Sequence, residues 1–157
     1  MKLYIDIESR SVVDLRRTGV YPYAQHKDTE ILCIACVTDS NQELLWVPNQ
    51  FRQRWDETEL ITTEDLSVLF ERAEEIHAHN VQFERVMLQN LGKRYGLPSI
   101  RNEVWRCSMA KCGAASLPLG LGKAALALGL EQQKDDEGHR LMLKLSKPRR
   151  AIDRENW

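Results

Sequence analysis

The chain has 157 residues, 43% hydrophobic and 29% charged, which is enough apolar content for one buried core at the commonest single-domain size. A net charge of -1 and a pI near 6.4 exclude a global positive field as the means of holding nucleic acid, so any such contact must come from a local patch or from bound metal. No apolar stretch approaches the roughly 20 residues that cross a bilayer, and no secretory leader opens the chain, so no membrane partner is expected.

The four cysteines suit reduced thiols rather than a disulfide framework, and a cytoplasmic setting is the expectation. A single domain over residues 1–157 is expected, with its core in 1–146 and a basic tail in 147–157.

Residues 2–7 alternate Leu3, Ile5 and Ile7 against Tyr4, Asp6 and Glu8, the period of two that marks a strand. Residues 10–30 hold Gly19, Pro22 and many polar side chains without a sustained period; a loop is predicted, with one helical turn near 12–17. The apolar run 31–37 is of strand length, and 43–47 reads as its hairpin partner, giving the first strand two antiparallel neighbours. Thr63 is the predicted N-cap of a helix whose buried stripe is Leu66, Leu69 and Phe70. Residues 75–78 form a short strand, and Asn80 caps the next helix, in which Phe83, Val86, Met87 and Leu91 fall at helical spacing. A further strand at 105–107 and helices at 119–130 and 138–145 complete the pattern, the last two separated by a charged loop at 132–137. This order predicts an α/β fold, a mixed sheet covered by helices.

Asp6 and Glu8 are two apart on a strand and so leave from one face. Carboxylates this close repel unless a cation lies between them, and oxygen-only ligands favour hard metals such as Mg²⁺ or Mn²⁺ over Zn²⁺. The same pattern also describes two solvent-facing acids at a strand end. A second group, His79-Asn80-Val-Gln-Phe83-Glu84, sets Glu84 one turn into a helix, where a carboxylate favours the positive end of the dipole; taken by itself, the group reads first as a well-capped helix.

Six motifs occur in order: Asp6-Ile-Glu8-Ser; Asp14-Leu with Gly19 and Tyr23-Ala; His79-Asn80-x-x-Phe83-Glu84; Trp105-x-Cys-x-Met-Ala; Leu119-Gly-Leu-Gly-x-Ala-Ala-x-Ala-Leu-Gly-Leu; and Lys134-Asp135-x-x-Gly138-x-x-Leu-Met. In this order the chain resembles the DEDD-type exonuclease domain of bacteriophage family A DNA polymerases. The resemblance implies a ribonuclease-H-like fold, two divalent metals (Mg²⁺ or Mn²⁺) and stepwise removal of nucleotides from a single-stranded DNA 3′ end, beside a polymerase domain. Catalysis and metal binding would fall to Asp6, Glu8 and Glu84, with Asp6 bridging both ions, and substrate contacts to Ile7, Asn80 and Phe83.

Two departures stand out. Glu84 occupies a position where the family has aspartate, which adds one methylene between backbone and ligand. The family's third motif, Tyr-x-x-x-Asp, lies downstream of the Lys-Pro-Arg segment and is not reached before Trp157. The expectation is a portion of a longer polymerase; the alternative is a catalytically impaired module that binds nucleic acid or a protein partner. Asp135, Asp136 and Asp153 are candidate stand-ins for the absent ligand, although the resemblance places none of them there.

Other features yield bland readings. Phe83 is a candidate wedge for a terminal base, yet with Val86 and Met87 it fits a core stripe. Lys144, Lys147, Arg149 and Arg150 suit phosphate contacts or a solvated tail. Cys33 and Cys36 are three apart on a strand, hence on opposite faces, which disfavours a zinc site. One of His77 and His79 is expected to be buried and the other at the surface.

Overall fold

A computed structural model describes residues 1–53, 55–56, 60–131, 138 and 140. The strands are β1 (Lys2–Arg10), β2 (Glu30–Thr38), β3 (Glu43–Trp46), β4 (Leu60–Ile61), β5 (Glu75–Ala78) and β6 (Trp105–Cys107). They form one six-stranded sheet in the order β4-β3-β2-β1-β5-β6. Pairing is antiparallel in β1–β2 and β2–β3 and parallel in β3–β4, β1–β5 and β5–β6, so the sheet is mixed. With helices flanking it, the arrangement is an α/β fold consistent with the ribonuclease-H-like expectation. The predicted neighbours of β1 need correcting: β3 pairs with β2 rather than β1, whose second neighbour is the parallel β5.

Strand β1 follows its alternation closely. Leu3, Ile5 and Ile7 are buried while Lys2, Tyr4 and Asp6 are exposed. A bulge then interrupts the ladder, because Glu8 pairs with Cys33 but Ser9 pairs with Ile31, which leaves Leu32 of β2 as the extra residue. Ser9 continues the inward series of Leu3, Ile5 and Ile7, and the next residue, Arg10, is buried as well, held by Glu30 at 2.8 Å and lying 5.1 Å over the Phe51 ring.

Residues 10–30 are not the loop predicted. They contain helices α1 (Leu15–Thr18) and α2 (Val20–Gln25). Asp14 caps α1 by accepting from Arg16 N at 2.9 Å, and α2 buries only Tyr23 and Ala24. A helix of six residues with two inward side chains leaves too short a trace for periodicity to register. A single turn at α3 (Asn49–Arg52) and the two-residue β4 also escaped the sequence reading, for the same reason.

Helix α4 (Thr63–Arg72) begins one residue earlier than predicted, with Thr62 as N-cap. Thr62 Oγ1 accepts from Asp65 N at 3.0 Å and the Asp65 carboxylate accepts from Thr62 N at 3.0 Å, a complete capping box. Thr63 instead accepts from Trp46 Nε1 at 3.1 Å, tying α4 to β3. Helix α5 (Gln82–Leu91) buries Val86, Met87 and Leu91 as its spacing predicted, and packs against α2. Two short 3-10 turns, Gly92–Tyr95 and Asn102–Val104, lead to β6 and then α6 (Ser108–Ala114) and α7 (Leu121–Ala127). The predicted 119–130 helix is trimmed to α7, with Gly120 at its N-cap and Gly129 at φ 65° beyond its end. Apart from positions 138 and 140, the expected loop at 132–137, the helix at 138–145 and the basic tail lie outside the described residues, as do Asp135, Asp136 and Asp153.

The core joins Leu3, Ile5, Ile7, Ile34 and Ile76 of the sheet to Leu66 and Phe70 of α4 and Val86, Met87 and Leu91 of α5. No helix among the described residues is long and apolar enough to cross a membrane.

Candidate active site

The central strand presents Asp6 and Glu8 on the face opposite its core residues. Asp6 reaches solvent, yet the protein around it raises its carboxyl above the usual range, an effect that a hydrogen bond from the Ile7 backbone partly offsets. Glu8 is half-buried, and its carboxyl is raised first by burial and then by the charge of Asp6. The two acids therefore share one electrostatic environment, as their spacing required.

The third carboxylate comes from the first turn of α5. Glu84 is 3% exposed, an unusual state for a glutamate, and its Oε2 is shielded from water without any hydrogen-bond partner. Burial pushes its carboxyl up to about 8; its own backbone N–H draws it down, and the Asp6 charge raises it again. Asp6 is thus the common neighbour of the other two: its charge acts on Glu8 and on Glu84. Among the described residues no three His, Cys, Asp or Glu side chains are gathered closely enough to ligate one ion. Asp6 couples to each of the other two acids without the three forming a closed cage.

This donor set fits a hard divalent cation on its chemistry. All the donors are carboxylate oxygens, one is buried without a partner, and the charge of Asp6 raises the other two. A bound cation would supply the missing partner for Glu84 Oε2 and reverse the repulsion.

The turn that delivers Glu84 differs from the prediction. Asn80 does not cap α5; it adopts a left-handed conformation at φ 63°, and Val81 takes the N-cap position with no side-chain hydrogen bond. Asparagine tolerates this conformation better than most residues, and the reversal lets the chain pass from the end of β5 into α5 within a few residues. His79 braces the turn from the other side. Its Nε2–H donates to the Leu119 carbonyl at 2.8 Å, and its Nδ1 lies 3.0 Å from Ser108 Oγ. His77 is the buried member of the histidine pair, stacked on Tyr4 at 4.8 Å between ring centres and bonded through Nε2 to Glu75 at 3.0 Å.

The substrate contacts implied by the resemblance divide. Asn80 is exposed at the turn, whereas the Ile7 side chain is 4% exposed and belongs to the core, which leaves its backbone alone facing the carboxylates. Phe83 is half-buried against the core, 6.4 Å from the Tyr23 ring.

Three neighbours were not found by sequence reasoning. Tyr23 of α2 exchanges a hydrogen bond with Ser9 at 3.0 Å, and its phenol is raised by burial, lowered by that bond and raised again by Glu8. Cys33 pairs with Glu8 across the β1–β2 ladder; burial and the charges of Glu8 and Asp6 push its thiol up to about 11. Cys36 pairs with Ile5 and is buried on the opposite face, so the two cysteines do point apart. Cys107 closes β6 beside the turn; burial raises its thiol, but backbone N–H groups of Ala110, Val81, Asn80 and Met109 outweigh that and bring it below the ordinary value. Only three-dimensional adjacency reveals these neighbours, because Tyr23 and Cys33 are distant in sequence from the Glu8 carboxylate that acts on them, and Cys107 from the Asn80 turn whose backbone it meets.

No family model matches the chain. A DNA polymerase of Bacillus phage SP02 is 30% identical over 153 residues, a match that covers 93% of this chain and 21% of that protein. The chain therefore spans about a fifth of the length of the curated relative it matches. A chain from the structure of the yeast NOT1 MIF4G domain co-crystallized with CAF1 superposes with a TM-score of 0.52 at 11% identity, covering 92% of this chain and 76% of that one. The structure of Exonuclease X in complex with 5′ overhanging duplex DNA gives a TM-score of 0.49 at 19% identity, covering 87% of this chain and 78% of the other. At 11% identity the likeness to the chain from the NOT1–CAF1 structure bears on the fold alone.

Proposed function

We propose that this chain is a divalent-metal-dependent 3′-5′ exonuclease domain of the DEDD type, proofreading in character, which acts on DNA 3′ ends and is part of or derived from a phage-type DNA polymerase. One observation carries the reading: Glu84 keeps a water-shielded, partnerless carboxylate oxygen while Asp6, already coupled to Glu8, raises its proton affinity further. A buried glutamate with an orphaned oxygen is costly for a fold and gains its purpose from a cation. The similarity to a phage DNA polymerase supports DNA as the substrate class.

Asp6, Glu8 and Glu84 would hold Mg²⁺ or Mn²⁺, with Asp6 shared because it neighbours both of the others. Bound metal would supply charge neutralisation for the phosphate and a lowered pKa for an attacking water. The residues of this chain do the rest. Strand β1 fixes Asp6 and Glu8 on one face through its ladder with β2, where they stand opposite Ala35 and Cys33, so the spacing of their backbones is set by the strand. Glu84 must release its proton before it serves as a ligand, which places the proton's departure at Oε1 or Oε2 of that residue. The Asn80 turn lies at the surface next to this group and is positioned for a strand end to approach. Phe83 is half-buried against the core beside this turn, and contact with the terminal base is the role proposed for it.

The test is hydrolysis of single-stranded DNA labelled at its 5′ end, with Mn²⁺, with EDTA, and with Asp6→Ala in place of the parent chain. Progressive shortening that requires metal and vanishes with Asp6→Ala is expected. Shortening by both proteins alike, or release of internal fragments instead of a one-nucleotide ladder, would defeat the assignment. The alternative, a catalytically impaired module, is favoured if neither protein shortens the strand while both bind it.

A further inference from the structure

On α5 the side chains of Arg85, Leu88 and Gln89 follow each other at helical spacing, along a stripe centred about 100° around the helix from Glu84. With the segment running from Leu97 to Asn102, and with Trp105 of β6, they enclose a cleft of about 350 Å³. The charge of this cleft is one-sided. Arg85, Lys93 and Arg101 line it, no acidic side chain does, and among the described residues none of the three forms an ion pair.

Two of the lining residues also hold N–H groups that are shielded from water and meet no acceptor, Arg85 Nε and Trp105 Nε1. Both N–H groups lie behind the cleft surface, so what the cleft offers an occupant is the cationic charge of Arg85, Lys93 and Arg101. The remaining wall is apolar, from Leu88, Leu97 and Ile100. The volume sits at the lower end of small-molecule sites, at roughly 300–1,000 Å³, and is far more than a bare oxyanion fills. Guanidinium groups and an apolar wall together match a phosphate ester that carries a flat or apolar body.

We infer that this cleft binds a nucleoside monophosphate unit, its phosphate facing Arg85, Arg101 and Lys93 and its sugar and base lying on the apolar wall. The unit is supplied either by a free mononucleotide or by one residue of a nucleic-acid strand. The inference does not depend on the nuclease reading, since it uses neither Asp6, Glu8 nor Glu84.

The experiment titrates the full chain, in EDTA, with deoxyadenosine 5′-monophosphate and follows the indole N–H resonances of its four tryptophans by nitrogen-resolved NMR, with Trp105→Phe identifying the signal of Trp105. A saturable shift confined to Trp105 is expected, and Lys93→Gln or Arg101→Gln, both at exposed positions, should each weaken it about tenfold without lowering the thermal midpoint. Displacement of the mononucleotide by a short single-stranded oligonucleotide would identify a strand as the source, and failure to displace it would identify the free nucleotide; both support the site. The inference is overturned by an unmoved Trp105 signal, by equal binding of inorganic phosphate or of unphosphorylated deoxyadenosine, or by unchanged affinity in both charge variants. Loss of the shift in Asp6→Ala would also overturn it, because binding would then belong to the carboxylates.

Discussion

Ser9 Oγ and Tyr23 Oη lie 3.0 Å apart inside the protein, joining the short helix α2 to the strand residue that follows Glu8. This bond anchors a segment that otherwise buries only two side chains, and it does so next to the acidic face. Tyr23→Phe and Ser9→Ala should each lower stability by about 1 kcal/mol, because each strands a buried hydroxyl or removes a bond. The double variant should cost clearly less than the sum, since both orphaned groups are then gone. Urea unfolding of the four proteins measures the coupling; strict additivity would mean that the bond contributes nothing.

Glu84 makes stability depend on pH in a definite direction. Its folded carboxyl is raised to about 8 from 4.5, so in EDTA the folded state binds more protons than the unfolded state between those values. The stabilising effect of the neutral form is complete below pH 4.5 and is lost as pH rises through 8. Glu84→Gln, which stays neutral, should flatten that decline. Thermal unfolding at several pH values compares the two; parallel curves would contradict the buried-acid account.

Metal addition should act on the same group with the opposite trend. Ligation needs the deprotonated carboxylate, so the gain in thermal midpoint from Mn²⁺ should grow between pH 4.5 and 8, as fewer protons have to be expelled. It should be largely absent in Asp6→Asn, which removes the shared neighbour. If Mn²⁺ shifts the midpoint of Asp6→Asn as far as that of the parent, the ion binds elsewhere.

Asp6→Asn should also reduce hydrolysis by about 10²-fold or more, the scale expected when several kcal/mol of transition-state charge stabilisation is lost. The change costs the fold little, because it relieves repulsion on Glu8 and Glu84. Turnover on a 5′-labelled oligonucleotide, set beside a melting curve of the same sample, separates chemistry from stability.

The left-handed turn at Asn80 gives a backbone prediction. Asn80→Gly should be close to neutral, while Asn80→Val should cost about 1–2 kcal/mol, since a branched side chain crowds the carbonyl at φ 63°. A strained turn also tilts Glu84, so Mn²⁺ affinity should fall in the valine variant and persist in the glycine one. Calorimetric Mn²⁺ titration of both checks this.

Much of the sheet could be read from the residues. The alternation of Leu3, Ile5 and Ile7 against Asp6 and Glu8, the apolar run that became β2, and the bounds of β5 and β6 followed from period and composition, because a strand's two faces are written directly into every second residue. Helix α5 was legible through Val86, Met87 and Leu91 for the equivalent reason at a different period. The start of α4 slipped by one residue because Thr62 and Thr63 are chemically interchangeable as caps, and only the tertiary position of Trp46 decides between them. The bulge after Glu8 and the reversal at Asn80 leave no mark in hydropathy, since each is a backbone event at a single residue. Position 84 was legible as a carboxylate near a helix start, but not as a buried one. Its burial is imposed by neighbours distant in sequence, and with it comes the chemistry that distinguishes it from an ordinary surface glutamate.

The extra residue in the β1–β2 ladder is Leu32 of β2, opposite the junction of Glu8 and Ser9, so the irregularity falls on the partner strand and β1 keeps its alternation through Ser9. Asp6 and Glu8 face Ala35 and Cys33 on β2 and lie past Tyr4, the last residue of β1 paired with β5, while Ser9 and Arg10 gain further ties to Tyr23 and Glu30. The central strand is thus anchored on either side of its acids, by a parallel neighbour before them and by side chains after them, and the two carboxylates occupy the span between those anchorages.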